Sequence, residues 1–114
     1  MKHAGTKAAD AAKGIHAVIA SIHSKIPKAK ILLLAILPSG QHQTIIHETN
    51  QLLAKEVKAS NATYLHYLDM SSHFESRPGH FNASLYLPDR IHLLPHGYEI
   101  WHAAMKSTYD ALLA

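Results

Sequence analysis

Residues 88–101 read P-D-R-I-H-L-L-P-H-G-Y-E-I-W. An Asp three residues before a His, just ahead of a helix, can form the acid–base half of a hydrolytic site. Such a pair needs a nucleophile to serve. The chain has no cysteine, which excludes a thiolate nucleophile, thiolate zinc sites and disulfides. Ser39, Ser71 and Ser72 are expected on the same rim as His92, but none stands in a G-x-S-x-G elbow or a comparable turn. They read as ordinary loop serines.

A second chemistry comes from the eleven histidines scattered along the chain, since imidazole is the commonest metal ligand. His42 and His47 follow the first expected strand, and His73, His80, His92 and His96 follow the second. In open α/β sheets ligands bind beyond the carboxyl ends of the strands, so these six could converge on one rim, joined by His3 if the N-terminus lies there. Two or three imidazoles, a carboxylate and one position left to water make a hydrolytic metal site that needs no serine. The expected ligands are His73, His92, His96 and Asp89, with His42, His47 and Glu48 as alternatives. The metal would be zinc or manganese, and no organic cofactor is expected. Glu48, beside His47, could act as a general base there. No H-E-x-x-H spacing singles out one set, and Pro95 interrupts the helix between His92 and His96. His16, His23, His66 and His102 fall inside elements and read as surface or core residues.

The elements that must position these groups are legible from periodicity. Residues 6–26 predict a helix, with Ala11, Ile15, Val18, Ile19, Ile22 and Ile26 on its apolar face, ended by Pro27. The apolar run from Ile31 to Leu37, closed by Pro38-Ser39-Gly40, suits a parallel strand buried on both faces. Residues 44–58 predict a second helix, with Ile45, Ile46, Thr49, Leu52, Leu53 and Val57 inward. Residues 63–68 predict a second strand, and residues 69–94 a long irregular stretch, of the kind that is usually functional or mobile. Pro95 opens the last helix at its first position, with Tyr98, Trp101, Met105, Thr108 and Leu112 as its stripe. The order α-β-α-β-α makes the fold class α/β with right-handed crossovers.

Two strands are too few for a stable open sheet. The wholly apolar first strand would leave one edge unpaired, an aggregation hazard. The expected remedy is a homodimer joined through Ile31 to Leu37. A two-fold axis perpendicular to a four-stranded sheet would make the central pair antiparallel.

At 114 residues, with 47% hydrophobic and 17% charged residues, the chain reads as one globular domain, residues 1–114. The net charge of +3 is uneven: Lys2, Lys7, Lys13, Lys25, Lys28 and Lys30 face only Asp10 in the first thirty residues. Without an arginine cluster or interleaved aromatics, that reads as a solvated helix face, and no nucleic-acid partner is expected. The longest apolar run is too short to span a bilayer, and no basic-then-apolar signal opens the chain. A cytoplasmic protein with no membrane partner is therefore expected.

From Gly14 onward the chain resembles the C-terminal part of the SGNH (GDSL-type) hydrolases, most nearly the branch that holds the alpha subunits of platelet-activating-factor acetylhydrolase. The matching stretches are G-I-H-A-V-I, K-A-K-I-L-L-L-A-I-L-P-S-G-Q, N-A-T-Y-L-H-Y-L-D and L-P-D-R-I-H-L-L-P-H-G-Y-E-I-W. The resemblance implies a truncated flavodoxin-like unit, a small-molecule ester substrate, and Asp89 and His92 as orienting carboxylate and general base. It supplies no nucleophile, because the sequence holds no G-D-S stretch. Three readings follow, in order of preference: metal-assisted hydrolysis of a carboxylic or phosphoric ester, a catalytically incomplete dimerising fragment that serves as a binding or assembly module or persists as a relic, and direct action of His92 on activated esters.

Overall fold

The structure, a computed structural model, describes residues 4–113; His3 lies outside them. Three helices, α1 (Ala4–Lys25), α2 (Gln43–Ser60) and α3 (Pro95–Leu113), alternate with two strands, β1 (Ile31–Leu34) and β2 (Leu65–Leu68). The architecture is α/β, as expected. β1 and β2 form a two-stranded sheet. The Ile31 N–H donates to Tyr64 O (2.7 Å) and the Ala35 N–H to Leu68 O (2.9 Å). Both bonds span the same sequence separation in the same direction, so the strands run parallel. β1 is shorter than the predicted run because the regular ladder stops before Pro38, although Ala35 adds one bond beyond the strand.

The stretch predicted as irregular carries structure of its own. A 3₁₀ turn (Ser71–Phe74) leads into an antiparallel hairpin of β3 (Glu75–Arg77) and β4 (His80–Phe81). Gly79, at φ 82°, makes the reversal, a backbone region that favours glycine. Asp69 Oδ1 accepts from the Ser71 N–H (2.8 Å) at the start of the first turn. Asn82 does the same for a second 3₁₀ turn (Ala83–Leu85), accepting from the Ser84 N–H (3.1 Å).

The chain forms two compact units. The first holds residues up to Leu33 together with Thr44–Tyr67. Its buried side chains are Ala8, Ala12, Ile19, Thr49, Leu53 and Leu65. The inward face of α2 is the predicted one. The predicted face of α1 is half met: Ile19 is buried and Ala11 and Ile15 are half-buried, whereas Val18, Ile22 and, just past the helix, Ile26 are exposed at 59%, 38% and 58%. The helix also buries Ala8 and Ala12, which lie outside the predicted face. Half-buried His23 stacks on Tyr64 with ring centroids 3.7 Å apart, and half-buried His16 sits 3.4 Å from Glu56.

The second unit, Leu34–Gln43 with Leu68–Ala114, has its own core of Met70, Phe74, Leu85, Tyr86 and Leu93. Ile100, Trp101, Ala104 and Met105 of α3 pack against it. Of the predicted stripe of α3, Trp101, Met105, Thr108 and Leu112 are half-buried as expected, whereas Tyr98 is exposed and its neighbour Gly97 is buried. A β-carbon at Gly97 would meet Leu85 O at 2.7 Å and Leu93 Cβ at 3.1 Å. A missing side chain, not a large one, therefore fixes how α3 seats.

Phe74 is fully buried. Phe74→Ala should lower unfolding free energy by about 3–5 kcal/mol, whereas Val18→Ala on the exposed face of α1 should stay within about 0.5 kcal/mol. Denaturant titration of the two variants checks the assignment of core and surface.

Candidate active site

The segment that follows Tyr86 folds back on itself. The Leu87 N–H donates to His92 O (2.7 Å), the Arg90 N–H donates to Leu87 O (2.8 Å), and Tyr86 and Leu93 form an antiparallel bridge. Arg90 occupies the left-handed region at φ 66°. Inside this turn Asp89 uses both oxygens. Oδ1 accepts from the N–H groups of Ile91 (2.9 Å) and His92 (3.0 Å), and Oδ2 lies 2.5 Å from His92 Nδ1.

The ionisation of Asp89 fixes the chemistry of that contact. The hydrogen bond from the His92 ring, then those from the Ile91 and His92 backbone N–H groups, lower its carboxyl from 3.8 to about 2. An ionised carboxylate can only accept, so His92 Nδ1 must donate, and in the neutral ring Nε2 keeps its lone pair. The ring is 66% exposed. Asp89 thus fixes both the orientation and the tautomer of an exposed ring.

The turn is held from one side by the β1–α2 loop, Pro38-Ser39-Gly40-Gln41. The Gly40 N–H donates to Arg90 O (2.7 Å), Gln41 Nε2 donates to Asp89 O (3.3 Å), and Tyr86 Oη donates to Pro38 O. Burial, and then the charge of Glu75, push the Tyr86 phenol up to about 12, so it remains a donor across the working range. Ser39 is buried, and its hydroxyl donates to Gln41 O (2.5 Å) and accepts from the Gln41 N–H (3.1 Å). It is a loop-shaping serine. None of these brace residues was among the expected site residues, since bonds to backbone carbonyls leave no motif behind.

The other expected ligands are not brought to the pair. His73 is exposed in the first 3₁₀ turn, and His96 is exposed in the first turn of α3, with Nδ1 3.9 Å from Glu99. His42 is exposed at φ 57° in the loop before α2, and His47 is exposed on α2. Glu48, also on α2, buries Oε2 without a hydrogen-bond partner. Among the described residues, no three His, Asp or Glu side chains come close enough together to hold a metal ion. The set His73, His92, His96 and Asp89 therefore contributes one pair rather than a coordination shell, because Asp89 is already committed to the turn and to the His92 ring.

No protein-family profile matches the chain. Individual proteins do. It is 32% identical over 104 residues to platelet-activating factor acetylhydrolase IB subunit alpha1 of Pongo abelii and 31% identical over 104 residues to that of Homo sapiens. Each match takes in 89% of this chain and 44% of the relative, so the chain spans less than half the length of the curated relatives it matches. A solved Streptococcus pneumonia structure, described under the name platelet activating factor, superposes with a TM-score of 0.73 at 22% identity. That match covers 89% of this chain and 51% of the other and speaks for the fold. Over the stretch that they share, this chain is a homologue of the platelet-activating-factor acetylhydrolase alpha subunits, a branch of the SGNH (GDSL-type) hydrolases.

Proposed function

We propose that the chain carries the acid–base half of an ester-hydrolase site. The carrying observation is the 2.5 Å contact between His92 Nδ1 and Asp89 Oδ2 on a ring that is 66% exposed. In this reading His92 Nε2 takes the proton of a hydroxyl nucleophile or a water as its oxygen bonds to the ester carbonyl carbon. It then returns that proton to the departing alkoxide as the carbonyl–alkoxide bond breaks. Asp89 stays ionised throughout and stabilises the transient imidazolium. Leu87, two residues before Asp89, and Ile91, between Asp89 and His92, are exposed at 40% and 46%, apolar neighbours in the same turn that suit an uncharged carboxylic ester better than a phosphate. Where the nucleophile is a serine, it comes from residues or a chain beyond this pair. Metal assistance lacks a ligand group among the described residues, so the base is the preferred mechanism.

The same reading includes a second copy paired at β1. Ile31, Leu32, Leu33 and Leu34 are all only half-buried, although a strand apolar on both faces is suited to burial on both. The N–H groups of Ile31 and Ala35 point to β2, so by the two-residue period those of Leu32 and Leu34 point to the opposite edge.

Three outcomes check these statements. Hydrolysis of aryl acetates should fall about 10²–10⁴-fold in His92→Ala, with Asp89→Asn also severely impaired, and should be unchanged by chelator. A wild-type rate no higher than that of His92→Ala would leave the incomplete binding fragment as the better reading. Loss of activity on chelation with return on zinc or manganese would restore the metal. The Asp89 carboxyl signal in an NMR titration should move near pH 2, so the pair persists above about pH 4 and comes apart as pH falls through about 2. Sedimentation should give a dimer that Leu32→Pro dissociates, because proline removes an edge donor and leaves the β1–β2 ladder intact.

A further inference from the structure

We infer that the Pro38–Gln41 loop is the positioning element of the Asp89–His92 pair, and that Gly40 is the residue that makes it possible. This deepens the proposed acid–base reading and rests on it for its catalytic meaning. The two backbone carbonyls held by the loop belong to Asp89 and Arg90, the residues that decide where the Asp89 carboxylate points. Arg90 adopts a left-handed conformation, which a residue with a β-carbon keeps only when its surroundings enforce it. The 2.7 Å bond from the Gly40 N–H is part of that enforcement. It requires an approach that no other residue allows, since a β-carbon at position 40 would lie 2.5 Å from both Arg90 Cβ and Arg90 Nε. The Arg90 guanidinium, in turn, lies 5.5 Å over the Phe81 ring, which limits how far the side chain can retreat.

Gly40 and Gln41 touch no reacting atom and act through Asp89, so they are positioning residues. Loosening them should release the His92 ring from its single tautomer without dismantling the core of Phe74 and Leu85.

The test is a long-range proton–nitrogen correlation spectrum of the His92 imidazole in the full chain, taken at a pH where the ring is neutral. Wild type should show one form, protonated at Nδ1 and bare at Nε2. Gly40→Ala should convert this to the mixed tautomers of an unrestrained exposed histidine, with the remaining amide spectrum largely kept. Gln41→Ala should shift it the same way by a smaller amount. Adding Arg90→Gly to Gly40→Ala removes the colliding atoms and relieves the positive φ, and should restore the Nδ1-protonated form. Where the protein turns over aryl esters, Gly40→Ala should lower kcat about 10²-fold with little change in KM.

An unshifted tautomer in folded Gly40→Ala overturns the inference, as does failure of Arg90→Gly to restore it. If Gly40→Ala does not fold, Gln41→Ala decides, and a wild-type tautomer there is equally fatal. Absence of turnover in wild type would defeat the catalytic reading alone, because the tautomer is read without substrate.

Discussion

One carboxylate organises this site. Asp89 accepts two backbone N–H groups through one oxygen and the His92 ring through the other. The first two bonds close the turn that brings His92 within reach, and the third uses that reach. Folding of the turn and orientation of the ring are therefore one event. Hydrogen bonds to an ionised acceptor are the stronger kind, and the carboxyl, lowered to about 2, keeps that charge wherever a neutral imidazole could act as a base. The chain then passes through the Tyr86–Leu93 bridge into the buried core and on to α3, which ties the exposed pair to a rigid support.

The legibility of this arrangement in the sequence follows from its range. Asp89 and His92 interact across three residues, so spacing alone carries the signal. The α2 face was also legible, because its apolar positions form one stripe. On α1 two apolar stripes overlap, one through Ala8, Ala12 and Ile19 and another through Val18, Ile22 and Ile26. Periodicity cannot decide which of them meets the core. The structure buries the stripe that holds the two alanines and Ile19. On α3 the stripe was legible from Trp101 to Leu112 and failed only at Tyr98, where the close approach belongs to Gly97, and a glycine contributes nothing to a hydrophobic pattern. The β3–β4 hairpin escaped for a related reason: E-S-R and H-F show no alternation, although Pro78-Gly79 was a turn signal in plain view.

Among the described residues the histidine excess does not gather into a ligand group. Counting imidazoles after each strand fixes which end of a sheet they follow, but not the direction in which any ring points. His96 turns toward Glu99, and His73 stands exposed. A metal shell needs three or four directions to converge, which is a tertiary property. An Asp–His pair needs one, and a local turn can supply it.

The residues that set the pair all fall within the second compact unit: Asp89, Arg90 and His92, the bracing loop, Tyr86 and the Phe74 core. Orienting the base is thus a problem solved by contacts inside one unit. The half-buried strand β1 and the exposed Val18 and Ile22 of α1 lie mainly in the other unit, which leaves apolar side chains uncovered there. Supplying a nucleophile and covering that surface are demands of a different kind, since both call for groups beyond those that orient His92. An imidazole whose tautomer is fixed locally keeps its geometry without them. That separation is why an Asp–His pair can stay well formed in a chain that matches less than half of its relatives' length.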